Sequence, residues 1–80
     1  MNNYKILCDY LGIEKQKLTK KKKIRLYSLV FGISQNLLNK FTIPKLDKVF
    51  MNGLYSIILQ MLDEKYVRKS VIKAILCETF

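Results

Sequence analysis

An all-α fold, a compact bundle of four to five short helices, is predicted for this 80-residue chain by three observations. Apolar residues recur in steps of three and four along almost its whole length, the spacing of one helix face. No segment shows the period-two alternation of a half-buried strand, and no repeat or low-complexity linker divides the chain. Half of the residues are hydrophobic, more than a disordered basic tail carries. Residues 1–80 therefore read as a single small helical domain, of a size that buries only about 60% of the surface of its unfolded chain.

Tyr4, Leu7, Cys8 and Leu11 share one face of a first helix that stops near Gly12, with Asn2 or Asn3 as its N-cap. Glu14 to Lys23 is polar apart from Leu18 and reads as a solvated helical turn or a loop. Ile24, Tyr27 and Phe31, with Leu26 and Val30 beside them, form a second amphipathic helix ending at Gly32. Ser34 caps a third, in which Leu37, Leu38 and Phe41 face inward. Pro44 then restarts the chain, because proline is tolerated in a helix's first turn.

The fourth helix carries Leu46, Val49, Phe50, Gly53, Leu54, Ile57, Ile58, Met61 and Leu62 on its stripe, widened by Met51, Tyr55 and Leu59. A helix apolar over most of its circumference is expected to be central or to form a seam. A homodimer through the Leu46–Leu62 helix would add burial that so small a domain needs. Asp63-Glu64-Lys65 breaks the pattern. Val67, Val71, Ile75 and Leu76 mark a last helix, with Lys65, Arg68, Lys69 and Lys73 outward.

The net charge of +9 asks for an anionic partner: nucleic acid, an anionic membrane surface or an acidic protein. The charge is uneven, with eight Lys/Arg against Asp9 and Glu14 in residues 1–25 and seven against four acids in the remainder. Lys, Ile, Leu, Asn, Tyr and Phe dominate, a bias that AT-rich codons also produce. Cys8 and Cys77 lie among apolar neighbours and read as buried thiols. No secretory signal supports a disulfide, and the Val49–Leu62 stretch falls short of the ~20 residues that span a bilayer. A cytoplasmic, soluble protein is expected.

Catalysis is not expected. The chain has no histidine, which removes the commonest general base and metal ligand. The acids are scattered, two distant cysteines make no zinc site, and three isolated glycines make no phosphate-cradling loop. No cofactor or metal is implied.

The positive signal is a basic run leading into Gly32-Ile33-Ser34. Where two helices meet at a sharp turn and cross closely, the residue four before the turn glycine must be small; here it is Ser28. A left-handed backbone costs non-glycine residues roughly 1 kcal/mol or more, and Gly32 relieves it. Ile33, Leu38 and Phe41 hold the positions to be buried. Ser28 and Gly32-Ile33-Ser34-Gln35 through Phe41, followed by Pro44-Lys45-Leu46-Asp47-Lys48-Val49, resemble the helix-turn-helix domain of the phage Cro/repressor family over residues 24–62. Cys8-Asp9-Tyr10-Leu11-Gly12-Ile13 with Leu18 fits the same spacing, but puts Lys21 where an apolar residue belongs.

The resemblance implies a small DNA-binding transcriptional regulator. Ser34, Gln35, Asn36 and Asn39 would sit on the recognition helix and read bases, since Gln and Asn can pair bidentately with adenine. Lys20, Lys21, Lys22, Lys23, Arg25, Lys40 and Lys45 would contact phosphates of double-stranded DNA. An ordinary solvated helix face and a solubilising charge run are the plainer readings of the same residues. The competing class is a basic helical bundle similar in size and charge to bacteriocin immunity proteins, or a subunit of a larger assembly. Its partner would be a protein or an anionic membrane face.

Overall fold

A computed structural model describes residues 2–33 and 43–77. Among these the chain is all-α, with α1 at Asn3–Leu11, α2 at Lys20–Phe31, α3 at Lys48–Asp63 and α4 at Lys69–Cys77. The third expected helix, with Ser34, Leu37, Leu38 and Phe41, lies outside the described residues.

Each boundary has a local cause. Asn2 caps α1, its Oδ1 accepting from Lys5 N at 3.2 Å. Gly12 ends α1 at φ +71, and its left-handed turn returns Gly12 N to Asp9 O and Ile13 N to Cys8 O. Thr19 caps α2, and Gly32 ends it at φ +66 with Ile33 N on Ser28 O. Asp47, not Pro44, starts α3, its Oδ1 accepting from Phe50 N at 2.9 Å. The side-chain cap outcompetes proline here, and residues 43–47 stay non-helical.

α3 ends in the same hydrogen-bonded turn as α1, with Lys65 N on Leu62 O and Tyr66 N on Met61 O. The left-handed position is taken by Lys65, at φ +63, where α1 and α2 use glycine.

One core joins the four helices. Leu7, Leu26, Ile58, Ile72 and Leu76, drawn from all of them, are fully buried. The α1 face is the expected one: Tyr4, Leu7, Cys8 and Leu11 are all buried. α2 is rotated from expectation, with Leu26 at its centre and Phe31 left 52% exposed. Tyr27 instead forms an aromatic flank, 4.7 Å from Phe31 and 6.0 Å from Phe50 between ring centroids. α3 is turned as well: Met51 and Tyr55 join Leu54, Ile58 and Leu62 inside, while Val49 is 84% exposed. A helix apolar on nearly every side does not fix its own rotation by period. In α4, Ile72 and Leu76 are buried and Val71 is exposed.

The start of α1 is tied to α3. Asn3 N donates to Asn52 Oδ1 at 3.0 Å, and Asn3 Nδ2 donates to Asn52 O at 2.9 Å. The Tyr4 and Tyr55 rings lie 5.1 Å apart. The Tyr4 hydroxyl donates to Gln16 O at 2.6 Å and accepts from Gln16 N at 3.1 Å, which fastens the α1–α2 connection to the bundle. Among the described residues no helix is long and apolar enough to cross a membrane.

Two stability predictions follow from these features. Lys65→Gly removes left-handed strain and should stabilise the protein by about 1 kcal/mol, whereas Gly12→Ala and Gly32→Ala should cost a similar amount. Urea unfolding of the three variants checks the opposite signs; equal destabilisation by all three would refute the strained turn.

Burial raises the Tyr55 phenol to about 12, and burial together with the nearby Cys8 raises Tyr4 further. The folded chain thus holds both phenols neutral more strongly than the unfolded chain, whose tyrosines titrate near pH ~10. Their contribution is complete below that pH and is lost as the pH rises toward 12. Tyr55→Phe should shift the alkaline unfolding midpoint, followed by circular dichroism, to higher pH.

Candidate nucleic-acid interface

The basic run begins α2. Thr19 is extended, and its Oγ1 accepts from Lys22 N at 3.2 Å, which makes Lys20–Lys23 the first helical turn. Helical geometry then scatters these side chains. Lys20 and Lys21 are exposed and Lys23 is half-buried. Lys22 turns inward, 8% exposed, with its Nζ donating to Lys17 O at 3.3 Å. This corrects the expectation that all four lysines face a phosphate: the Lys22 ammonium is held against the chain's own carbonyl.

Four positive side chains with no acidic residue in the turn sit at the positive end of the helix dipole. Each such charge costs typically 0.3–1 kcal/mol when exposed at low salt, so the arrangement works against the stability of α2 by about that much per lysine.

The outward lysines border three depressions that share lining residues. One of about 630 Å³ is lined by Lys20, Lys23 and Ile24 with residues 43–46, including Lys45. Another of about 390 Å³ is lined by Lys20, Lys21, Ile24 and Arg25. Lys23 continues the surface into a third, of about 790 Å³, where it meets Lys15 and Lys48. Among the described lining residues of all three, none is a carboxylate. Two acids adjoin these lysines in sequence: Asp47, whose Oδ1 accepts from Phe50 N, and the exposed Glu14 before Lys15.

Of the expected phosphate contacts, Lys20, Lys21, Lys23, Arg25 and Lys45 thus come together. Lys40 and the expected base readers Ser34, Gln35, Asn36 and Asn39 lie outside the described residues. Lys15 and Lys48 share the surface although the sequence did not single them out. Asp47 as a helix cap was the signal for Lys48; Lys15 lay in a polar stretch with no periodicity to orient it.

The two glycine turns have different sequels. Before Gly32, Ser28 is buried, 5% exposed, with its Oγ donating to Ile24 O at 2.8 Å, and Ile33 after it is half-buried. After Gly12, residues 13–19 are non-helical and Lys21 is exposed. A helix-turn-helix centred on Gly12 is therefore excluded, since its second helix would have to follow the turn directly.

Both cysteines are free, Cys8 buried and Cys77 half-buried, and no cluster of three metal-ligating side chains occurs among the described residues. No family model, curated protein or solved structure matches this chain.

The dipole conflict gives a diagnostic pair of signs. Lys20→Glu and Lys21→Glu should each raise the stability of the free protein by about 0.5–1 kcal/mol, because they put an acid where the dipole favours one. The same substitutions should weaken binding to any polyanion. Lys22→Gln should leave polyanion binding unchanged. Thermal unfolding paired with titration by duplex DNA measures both quantities. Loss of binding in Lys22→Gln equal to that in Lys20→Glu would refute the assigned orientations.

Proposed function

We propose that this is a small cytoplasmic DNA-binding protein, a helix-turn-helix transcriptional regulator. It grips the phosphates of a duplex with Lys20, Lys21, Lys23, Arg25 and Lys45. Ser34, Gln35, Asn36 and Asn39 supply the base contacts in this reading, with Lys40 on phosphate. The observation that carries it is the acid-free basic surface built around a lysine-only turn at the start of α2. That turn opposes its own helix dipole, and a neighbouring polyanion is what would reverse the sign of the effect. The left-handed Gly32, buried Ser28 and half-buried Ile33 support the helix-turn-helix part.

The test is selection from a randomised pool of ~30-bp duplexes at several salt concentrations, a span that holds two half-sites one helical turn apart. Enrichment of a short motif at moderate salt is the expected result, and a palindrome would add the dimer. Binding that disappears with salt and enriches nothing would mean that the charge serves another anionic partner. Joint replacement of Gln35 and Asn39 by alanine should abolish the sequence preference. The salt-sensitive background should remain, with a slope of log affinity against log salt altered by less than about 1.

A further inference from the structure

Lys15, Lys23 and Lys48 reach the 790 Å³ groove from three separate segments: the connection after α1, the first turn of α2 and the first turn of α3. That volume lies in the ~300–1,000 Å³ range of small-molecule sites. We infer that this groove binds a small phosphorylated organic anion, a phosphomonoester carried on an apolar or aromatic body. The inference goes beyond the DNA reading, with which it shares Lys23.

The two halves of such a ligand match two kinds of wall. Three lysines with no carboxylate among the described lining residues suit a dianionic phosphate better than a carboxylate or a neutral group. Leu18, Val49 and Met51 supply the apolar part. Val49 stands out, an apolar side chain 84% exposed next to Lys48, and it gains only if something apolar covers it. A duplex backbone offers a polar, convex surface and would leave this wall uncovered.

Asn52 adds a directed donor. Its Oδ1 accepts from the backbone N–H of Asn3, a group that can only donate. The side-chain amide is therefore oriented, and its NH₂ is the end available to a polar atom of the body. The first turns of α1 and α3 border the same groove through Asn2 and Lys48, which adds two positive helix ends to the lysines.

Adenosine monophosphate is the probe, titrated calorimetrically into the full chain beside inorganic phosphate, adenosine and ribose 5-phosphate. It should bind at least ~10-fold tighter than each of the three, because each lacks or replaces one half of the ligand. Lys15→Gln and Lys48→Gln should each weaken it about tenfold, the loss of one charge-assisted contact, with helix content unchanged and duplex affinity reduced by much less. Val49→Thr should weaken adenosine monophosphate but not inorganic phosphate.

A 5′-phosphorylated trinucleotide distinguishes the source: tighter binding than the monophosphate assigns the groove to strand ends, weaker binding to a free metabolite. Equal affinity for phosphate and adenosine monophosphate would overturn the inference. So would Lys15→Gln and Lys48→Gln variants that lose duplex and monophosphate in parallel. Monophosphate binding without any duplex binding would leave this inference standing and remove the DNA reading.

Discussion

The packing of the start of α1 on the first turns of α3 is the constraint from which the rest of the arrangement follows. It is made by two hydrogen bonds that Asn3 donates to Asn52 and by the Tyr4 ring against Tyr55. The first of these uses one of the backbone N–H groups that a helix leaves unsatisfied at its N-terminus. A polar debt of helix formation thus becomes a tertiary contact. The Tyr4 hydroxyl then catches Gln16 and draws the α1–α2 connection back to the same end of the bundle. Residues 13–19 can reach, since seven residues extend up to ~23 Å while the nine of α1 rise only ~13 Å.

That return sets the positions of Lys15 and of the lysine turn at Lys20–Lys23. Thr19 starts α2 three residues after Gln16, so the lysine turn is delivered beside the start of α3 rather than at the far end of the domain. Lys15 is placed by the same loop, its Nζ 6.0 Å from the Tyr4 ring centroid. The α1–α2 part of the basic surface is therefore a consequence of how one tyrosine holds one loop. The uneven charge along the chain points to residues 1–25, but Lys45 and Lys48 join that surface only through the fold.

What the sequence made legible divides along physical lines. The ends of α1 and α2 were readable because Gly12 and Gly32 occupy backbone conformations that few other residues take without strain. The inward face of α1 was readable because its polar and apolar residues alternate cleanly with helical period. The rotations of α2 and α3 were not. In α2 the large aromatics Tyr27 and Phe31 dominate any estimate of hydrophobicity, yet the slimmer Leu26 fits the centre where the helices meet. In α3 apolar residues surround the axis, so neighbouring helices choose the face. Lys22 was misread for a related reason: a run of identical residues gives no cue about which member the helix turns inward.

The left-handed Lys65 breaks a local rule that the same chain obeys elsewhere, whereas the lysine turn at α2 is the densest case of a habit of all four helices, none of which has an acid in its first turn. α1 and α3 are capped by Asn2 and Asp47, and α1 and α2 end on glycine. What sets α2 apart is the number of lysines in its first turn, four in succession where α1, α3 and α4 each carry one. At Lys65 the cost is local strain with no surrounding site to account for it. At Lys20–Lys23 the cost falls beside a carboxylate-free surface that a polyanion would complete, and its sign reverses once phosphate arrives. On the proposed reading, stability lost in the free protein would be affinity gained in the complex, and the first turn of α2, more than the total charge, is where a polyanion would sit.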